Sequence, residues 1–586
     1  MTDPLLRYYE RELTFLRRAL GHYSDEHSQF ASALNLHQGQ IEDPSIARLL
    51  DGVALLNAKT EMALKNQIPS IVESIINVIY PSLNQTTPSV GYAELVAAEP
   101  IAELSELPKG SRLASTIGSH ECLFQTVDRL HINPFNIDDV IASTAPFPIS
   151  KPERAELANG LLQIKLSTGD DDILFSTLQS QELDFFVKGF ANNAESLVEM
   201  LLANGLAISI SDSQGNTLAQ LEQTALSNRV CDPSFHFLPQ KGQQFDGYQM
   251  IREFFLFKEK RQFFQLVGFK QAISTINDST LFINFFLSDI PAEFLRLFNT
   301  DVIKLNVVPI INLFTQTSEP IDLDGRKLAY PIAADAFDDS PIDIIDVLSV
   351  RQITSYGDKT LTPMFGEKYH QKRSDINQSP MYWEAKKDLD KQYELVVSHT
   401  HDQSEKAILV ASLLSSNGKL ACSVSGQLDS LENIDLPGEL TLLYPPSAPV
   451  EMEANDDNLS QVIALLCCNF NSLLRSEDPT KQIKDMFKLF SSDTTDLDEI
   501  NSIHNIAFKT QVSTLRVHNK NIFVPGTEIY LELNTDMPHH AFTLVLNEFF
   551  KQFCSFDRYI QLHVSQYGKQ HRGITFPKAH GGQLCL

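Results

Sequence analysis

His399-Thr400-His401-Asp402 could offer nitrogen and oxygen ligands to a metal ion. Alternate residues of a strand share a face, so His399 and His401 could meet one ion, but no third ligand is identifiable. His120-Glu121-Cys122 begins like a zinc-protease helix, yet Phe124 stands where the second histidine is needed, and the motif fails. His539 and His540 are adjacent and point apart in most backbones, which fits a turn before a helix. Asp493, Asp496, Asp498 and Glu499 resemble a calcium loop in composition only, without the glycine an EF-hand turn requires. Phosphate-binding glycine loops (GxxxxGK[ST], GxGxxG) and the GxSxG nucleophile elbow are absent. Acidic residues number 74, and the sequence singles out no carboxylate pair for acid–base work. Trp383, the only tryptophan, reads as a core or interface anchor. The expected assignment is no catalytic residue, no cofactor and no metal.

The elements that would position these residues change character along the chain. Residues 1–88 read as helical. Asp3-Pro4 is a helix start, and Leu6, Tyr9, Leu13, Leu16, Leu20 and Tyr23 follow a coiled-coil spacing that places them on one narrow stripe. Asp43-Pro44 repeats the start signal. Ile46, Leu49, Val53, Leu56, Thr60 and Ala63 repeat the stripe, and a third short helix is expected between Pro69 and Pro81. Such stripes serve either a local bundle or the surface of another chain, and the first is the candidate partner interface. Beyond Gly91 the period becomes two, as in Leu162, Ile164, Leu166 and in Leu206, Ile208, Ile210, which marks strands with one buried face. Residues 192–202 read as a helix, 248–300 as a densely buried Phe-rich region, and Leu305–Phe314 as a buried strand interrupted by Pro309. A Pro-rich, then acidic stretch at 441–458 reads as a linker or exposed loop. Ile529, Leu531 and Leu533 alternate as a strand, and Phe542, Val545, Phe549 and Phe553 form a helical stripe. The fold class is therefore α+β and multidomain. An N-terminal helical region (1–88) precedes a β-rich domain with helices (89–300), a β-rich middle domain (301–440) and an α/β C-terminal domain (441–586).

Composition narrows the function classes. A chain of 586 residues exceeds what one core supports. Its net charge of -27 disfavours nucleic-acid binding, and its acidic clusters read as solvated loops, or as a surface for a basic partner. Seven cysteines without a CxxC pair point to reduced thiols in the cytoplasm. The N-terminus lacks the pattern of a signal peptide, and no apolar run is long enough to span a bilayer, so no direct membrane insertion is expected.

Blocks spread over nearly the whole chain resemble one family, the TssF (ImpG/VasA) baseplate subunits of bacterial type VI secretion systems. Tyr8-Tyr9-Glu10-Arg11-Glu12-Leu13, Asp43-Pro44, Arg48-Leu49-Leu50-Asp51-Gly52 and Tyr80-Pro81 carry the resemblance at the N-terminus. Leu107-Pro108-Lys109-Gly110 and Cys122-Leu123-Phe124-Gln125-Thr126 follow. The two most specific blocks are Gly247-Tyr248-Gln249-Met250-Ile251-Arg252-Glu253-Phe254-Phe255 and Pro309-Ile310-Ile311-Asn312-Leu313-Phe314, the latter with Glu319-Pro320-Ile321 behind it. Val545-Leu546-Asn547-Glu548-Phe549-Phe550 closes the set. The chain departs from the family pattern at Ser423–Leu428, at Phe576 where a tryptophan is expected, and over 360–460.

The resemblance implies a structural role without an active site, in a wedge like those of contractile phage tails. By that resemblance two copies of the chain are expected to associate there with TssG, beside TssK and TssE, to build the platform for sheath and tube. Contact with the sheath and membrane complex is indirect, and the implied location is cytoplasmic, at the inner face of the inner membrane. Two other readings stand beside it: a cytoplasmic hydrolase with a carboxylate pair in a β-rich domain, and an adaptor or chaperone for a secreted effector. Chelation is expected to leave the melting temperature of the parent chain unchanged, and so is His399→Ala combined with His401→Ala. A chelator-induced fall in the parent that the double variant abolishes would instead establish a metal site.

Overall fold

The computed structural model describes residues 4–26, 36–37, 40–41, 44, 47–61, 85–97, 105–178, 182–190, 194–239, 246–274, 276–324, 327–336, 341–354, 357–364, 381–388, 392–398, 407–432, 434, 436–451, 478–491, 494–517, 520–534, 540–555, 558–568 and 573–580. The fold is mixed α and β. The chain divides into two compact units, one of residues 1–84 with 453–466 and one of 85–452 with 467–586.

In the smaller unit, Pro4–Glu26 forms one helix and 47–61 another. Ala54 and Ala58 are fully buried, with Leu50 and Asp51 half-buried beside them. Alanines four apart share a face and allow another segment to approach closely. An ion pair between Arg11 and Glu61 joins the two helices. The Tyr9 phenol is pushed up, first by loss of solvent around it and then by the Asp51 carboxylate that accepts its hydroxyl. The expected third helix between Pro69 and Pro81 lies outside the described residues.

The larger unit is built on strands. Val307–Ile311, Val90–Ala97, Gly438–Leu442, Gln427–Ser430, Arg112–Ile117 and His120–Thr126 close, in that order, into a barrel. Pro309 does not interrupt its strand: it pairs with Tyr92, and its carbonyl accepts the Val127 N–H at 2.9 Å. The stretch after Leu442 returns along the same barrel strand, with Leu443 N–H bonded to Tyr92 O and Ser447 N–H to Val90 O. His120 and Cys122 stand in a barrel strand rather than on a helix, and burial pushes the Cys122 thiol up to about 11.

A five-stranded antiparallel sheet, centred on Gly160–Ser167 and Thr280–Leu287 and including Gly205–Ser211, buries Leu162, Ile164, Ile208, Ile210 and Ile283 in one core with the helix Ala194–Asn204. Period-two alternation at these strands matches the pleat. A second aromatic core gathers Tyr92, Phe186, Phe235, Phe237 and Phe263; Tyr92 stacks on Phe186 with centroids 5.5 Å apart. Two further sheets enclose Trp383, Val350, Leu395 and Leu413. The Trp383 indole N–H donates to Leu361 O at 3.2 Å, so this tryptophan is a core residue.

The C-terminal sheet runs Ile503–Val517, Lys520–Leu533, Tyr559–Gln566 and Gly573–Thr575. The helix His540–Gln552 packs on Asp246–Leu256, where Phe542 meets Phe254 at 5.7 Å and Phe549 meets Tyr248 at 5.9 Å. Phe254 and Phe255 are both buried at this junction. Phe254→Ala and Phe255→Ala should each cost about 3–5 kcal/mol and lower the melting temperature or leave insoluble protein. Melting at the parent temperature for both variants would contradict this packing.

Candidate functional site

Two features of the molecule are candidates for function: an open apolar helix face in the smaller unit, and a buried charged hub in the larger one.

Of the second helical stripe, Ile46 and Ala63 lie outside the described residues, and Leu49, Val53, Leu56 and Thr60 are exposed. Leu49 is 69 % exposed and Leu56 67 %, with Val53 exposed between them. The side that packs instead carries Leu50, Ala54 and Ala58. The physical reason is size, because alanine lets helices approach and leaves the larger leucines outward. On the first helix the predicted stripe divides. Leu6 is exposed, Tyr9, Leu13 and Leu16 are half-buried, and the side chains of Leu20 and Tyr23 lie outside the described residues. Phe15 is also exposed, beside Arg7, Arg11 and Arg18. It falls off the predicted stripe, and helical spacing alone gave no signal for it.

The hub centres on Glu253, whose side chain has no solvent exposure. Lys260 Nζ donates to its Oε2 at 2.7 Å, and His236 Nδ1 stands 3.4 Å from the same oxygen. The backbone N–H groups of Phe237 and Leu238 and the Gln249 side chain donate to Oε1. Burial by itself would raise this carboxyl, but Lys260 and His236 together outweigh it and hold the group well below the usual carboxylate range. The Lys260 ammonium also lies 5.3 Å from the Phe237 ring and 5.7 Å from that of Phe235.

Arg261, one residue on, reaches Glu195 at 2.8 Å and Glu499 at 3.0 Å, donates to Phe254 O and lies 3.7 Å over the Phe254 ring. Lys258 reaches Asp496 at 3.3 Å. The acidic cluster at 493–499 is therefore not wholly a solvated loop: Asp496 and Glu499 are buried on the helix Thr494–Asn501, because each has a cation to meet. Arg229 forms a parallel node with Asp128 at 2.7 Å, Asp232 at 2.9 Å and Asp184 at 3.4 Å. Arg252 donates to Thr87 Oγ1 at 2.8 Å, and burial lowers its guanidinium to about 10. Glu199 accepts from the Ala541 N–H at 2.7 Å and from the His540 N–H, at the positive N-terminus of the helix His540–Gln552. Tertiary folding, not spacing, brings these charges together. The available signal was the run Lys258-Glu259-Lys260-Arg261 inside an otherwise apolar segment.

The hub ties distant segments, from Thr87 to Ala541. Its carboxylates are consumed by cations or backbone donors, as a rigid joint requires. Among the described residues no group of three or more His, Cys, Asp or Glu stands where it could hold a metal ion. His399 and His401 lie outside the described residues.

Burial is the leading cause that raises Glu199 to about 8, Glu499 to about 7 and Asp184 to about 6. Each holds its proton more tightly folded than unfolded, so its contribution to stability is complete below the unfolded value and is lost as pH rises through the folded one. The melting temperature should therefore fall between about pH 5 and about pH 8.5, and Glu199→Gln should shrink that fall because glutamine keeps an acceptor oxygen without ionising. An identical pH profile for parent and variant would contradict the burial of this carboxyl.

The chain was compared with known proteins. A family model described as "Type VI secretion system, TssF" matches residues 1–583. The type VI secretion system component TssF1 of Pseudomonas aeruginosa is 21% identical over 597 residues, which covers 96% of this chain and 96% of the relative. A chain from the cryo-electron-microscopy structure of the type VI secretion system TssK-TssF-TssG baseplate subcomplex is similar in fold, with a TM-score of 0.73 and 18% identity over 92% of this chain and 99% of that one. A chain of the baseplate complex from the type VI secretion system gives a TM-score of 0.64 at 18% identity, over 99% and 100% of the two chains. At that identity the solved structures speak for the fold alone, whereas the family match extends over almost every residue. This chain belongs to the TssF family of type VI secretion systems.

Proposed function

We propose that this chain is a structural subunit of a type VI secretion baseplate wedge, working through its interfaces and without turnover of its own. The observation that carries the reading is the family match over residues 1–583, the whole length rather than one module. The similar chain from the TssK-TssF-TssG baseplate subcomplex supports TssK- and TssG-type proteins as partners. A TssE-type protein and a second copy of this chain complete the proposed wedge. Among the described residues no helix is long and apolar enough to cross a membrane. The proposed location is the cytoplasm at the inner face of the inner membrane, reached through the assembled complex.

The open face of Leu49, Val53 and Leu56 supplies the energetic means. Burying a leucine side chain against a partner contributes about 1.5–3 kcal/mol, and an exposed apolar stripe on a helix fits a groove or another helix. The first stripe, Leu6 to Tyr23, is proposed to share this role where it remains open.

The test is co-purification of the full chain with TssG- and TssK-type subunits, with thermal melting as the folding control. Leu49→Asp combined with Leu56→Asp should melt like the parent and lose partner binding by at least about tenfold, since burying an unpaired carboxylate costs several kcal/mol. Leu13→Asp and Leu16→Asp, at half-buried positions, should weaken both melting and binding. In cells, the helix variants should fail to assemble sheaths while His399→Ala with His401→Ala assembles them. Undiminished partner binding by the Leu49/Leu56 variant would overturn the interface, and a folded but inactive histidine variant would overturn the non-enzymatic reading.

A further inference from the structure

A cavity of about 10 Å³ lies beside the Arg229 node of the larger unit, and its walls include Asp128, His131, Asn133, Asp184, Arg229 and Asn306. His131 stands on the strand Leu130–Ile132 and Asp184 on the strand Leu183–Val187, which belong to different sheets. Asn306 forms its wall in left-handed backbone, with φ at 56°, a conformation asparagine adopts more readily than most residues. Its Oδ1 accepts the Asn133 N–H at 2.8 Å and its carbonyl accepts the Leu95 N–H at 3.0 Å, so this wall is tied on both sides.

Two of the lining side chains carry a polar atom that is shielded from solvent and has no hydrogen-bond partner in the protein: Oδ1 of Asp184 and Nδ1 of His131. Arg229 takes up the other Asp184 oxygen, with its nitrogen 3.4 Å from Oδ2. Glu106 Oε2, 3.9 Å from His131 Nδ1, is too distant for a hydrogen bond. Burial raises the Asp184 carboxyl to about 6; of the charges around it Arg229 lowers it, Asp128 raises it and His131 lowers it, so Asp184 and His131 lie within electrostatic reach of one another. Buried carboxylate and imidazole atoms are costly to leave without a partner. An ionised carboxylate only accepts, so whatever meets Asp184 Oδ1 must donate a hydrogen. The carboxylates of Asp128, Asp184 and Asp232 around Arg229 disfavour an anion, and the guanidinium among them disfavours a second cation. A space on the order of 10–15 Å³ with two or more polar partners is what a single water needs.

We infer that this cavity is a binding site for one water molecule, held between Asp184 and His131. The water donates to Asp184 Oδ1 and bonds His131 Nδ1, as donor or acceptor according to the imidazole tautomer. It joins the strand Leu130–Ile132 to the strand Leu183–Val187, which share no strand pairing, and completes the polar shell around Arg229. This inference is independent of which complex holds the chain.

The test is an experimental density map of the full chain, sharp enough to show ordered waters, with rubidium as the only monovalent metal cation in the crystals. One peak is expected within about 2.6–3.2 Å of both Asp184 Oδ1 and His131 Nδ1, without anomalous signal from rubidium. Asp184→Asn keeps an acceptor oxygen and should keep the peak, whereas Asp184→Leu should lose it. In thermal melting, His131→Ala combined with Asp184→Leu should lower the melting temperature by less than the sum of the two single shifts, because either change alone already releases the water. If Asp184→Leu fails to fold, the maps of the parent and of Asp184→Asn decide. Absence of the peak, a direct hydrogen bond between Asp184 and His131, a rubidium signal in the cavity, or strictly additive melting shifts would each overturn the inference.

Discussion

The carboxylate of Glu253 and the ammonium of Lys260 meet where neither sees water, and the larger unit is organised around making that possible. Removing two charges from solvent costs several kcal/mol for each, and their attraction repays this only when the remaining lone pairs and protons are also satisfied. Here they are satisfied from within residues 235–260: by the N–H groups of Phe237 and Leu238, by Gln249 on the same helix, and by the Phe235 and Phe237 rings flanking the ammonium. Removing either charge would leave the other buried alone, so the pair fixes one geometry for the helix Asp246–Leu256 and the turn that follows it.

From that helix the constraint spreads outward. Arg252 reaches Thr87 at the start of the barrel, and Phe254 and Phe255 meet Phe542 on the C-terminal helix. Arg261 secures Glu195 and Glu499, and Glu199 receives the N-terminus of the helix His540–Gln552. The open apolar side chains lie elsewhere, at Leu49 and Leu56 in the smaller unit and at Phe523 in the larger. In the larger unit, buried paired charges coexist with apolar side chains left open.

Much of this was legible in the residues. Period two at Leu162, Ile164 and Leu166 and at Ile208 and Ile210 becomes buried strand because a pleated sheet presents alternate residues to one core, whereas Leu206, beside a register shift, is half-buried against the separate cluster of Leu161, Ala207 and Phe286. The Phe-rich segment after Tyr248 becomes core, and its block Gly247–Phe255 is where the hub sits. The candidate interface was legible as periodicity but not as orientation. Spacing places Leu49, Val53 and Leu56 on one face, and whether that face turns in or out depends on where Ala54 and Ala58 find a neighbour. The acidic cluster ending at Glu499 shows the same limit, since its composition reads as solvated until Arg261 and Lys258 are brought to it.

By itself the sequence determined the α+β class, the helical start, the strand periods and, through ordered blocks along its length, the family. These depend on local spacing and on residue identity, which a linear chain carries in full. Tertiary structure alone decided the closure of a barrel from stretches near residues 90–126, 307–311 and 427–442, the partner of every buried charge, and the point at Gly526 where a sheet becomes a bare ribbon. Each of these depends on which distant segments come within a few ångströms of one another, and chain connectivity leaves that choice open until the cores are packed.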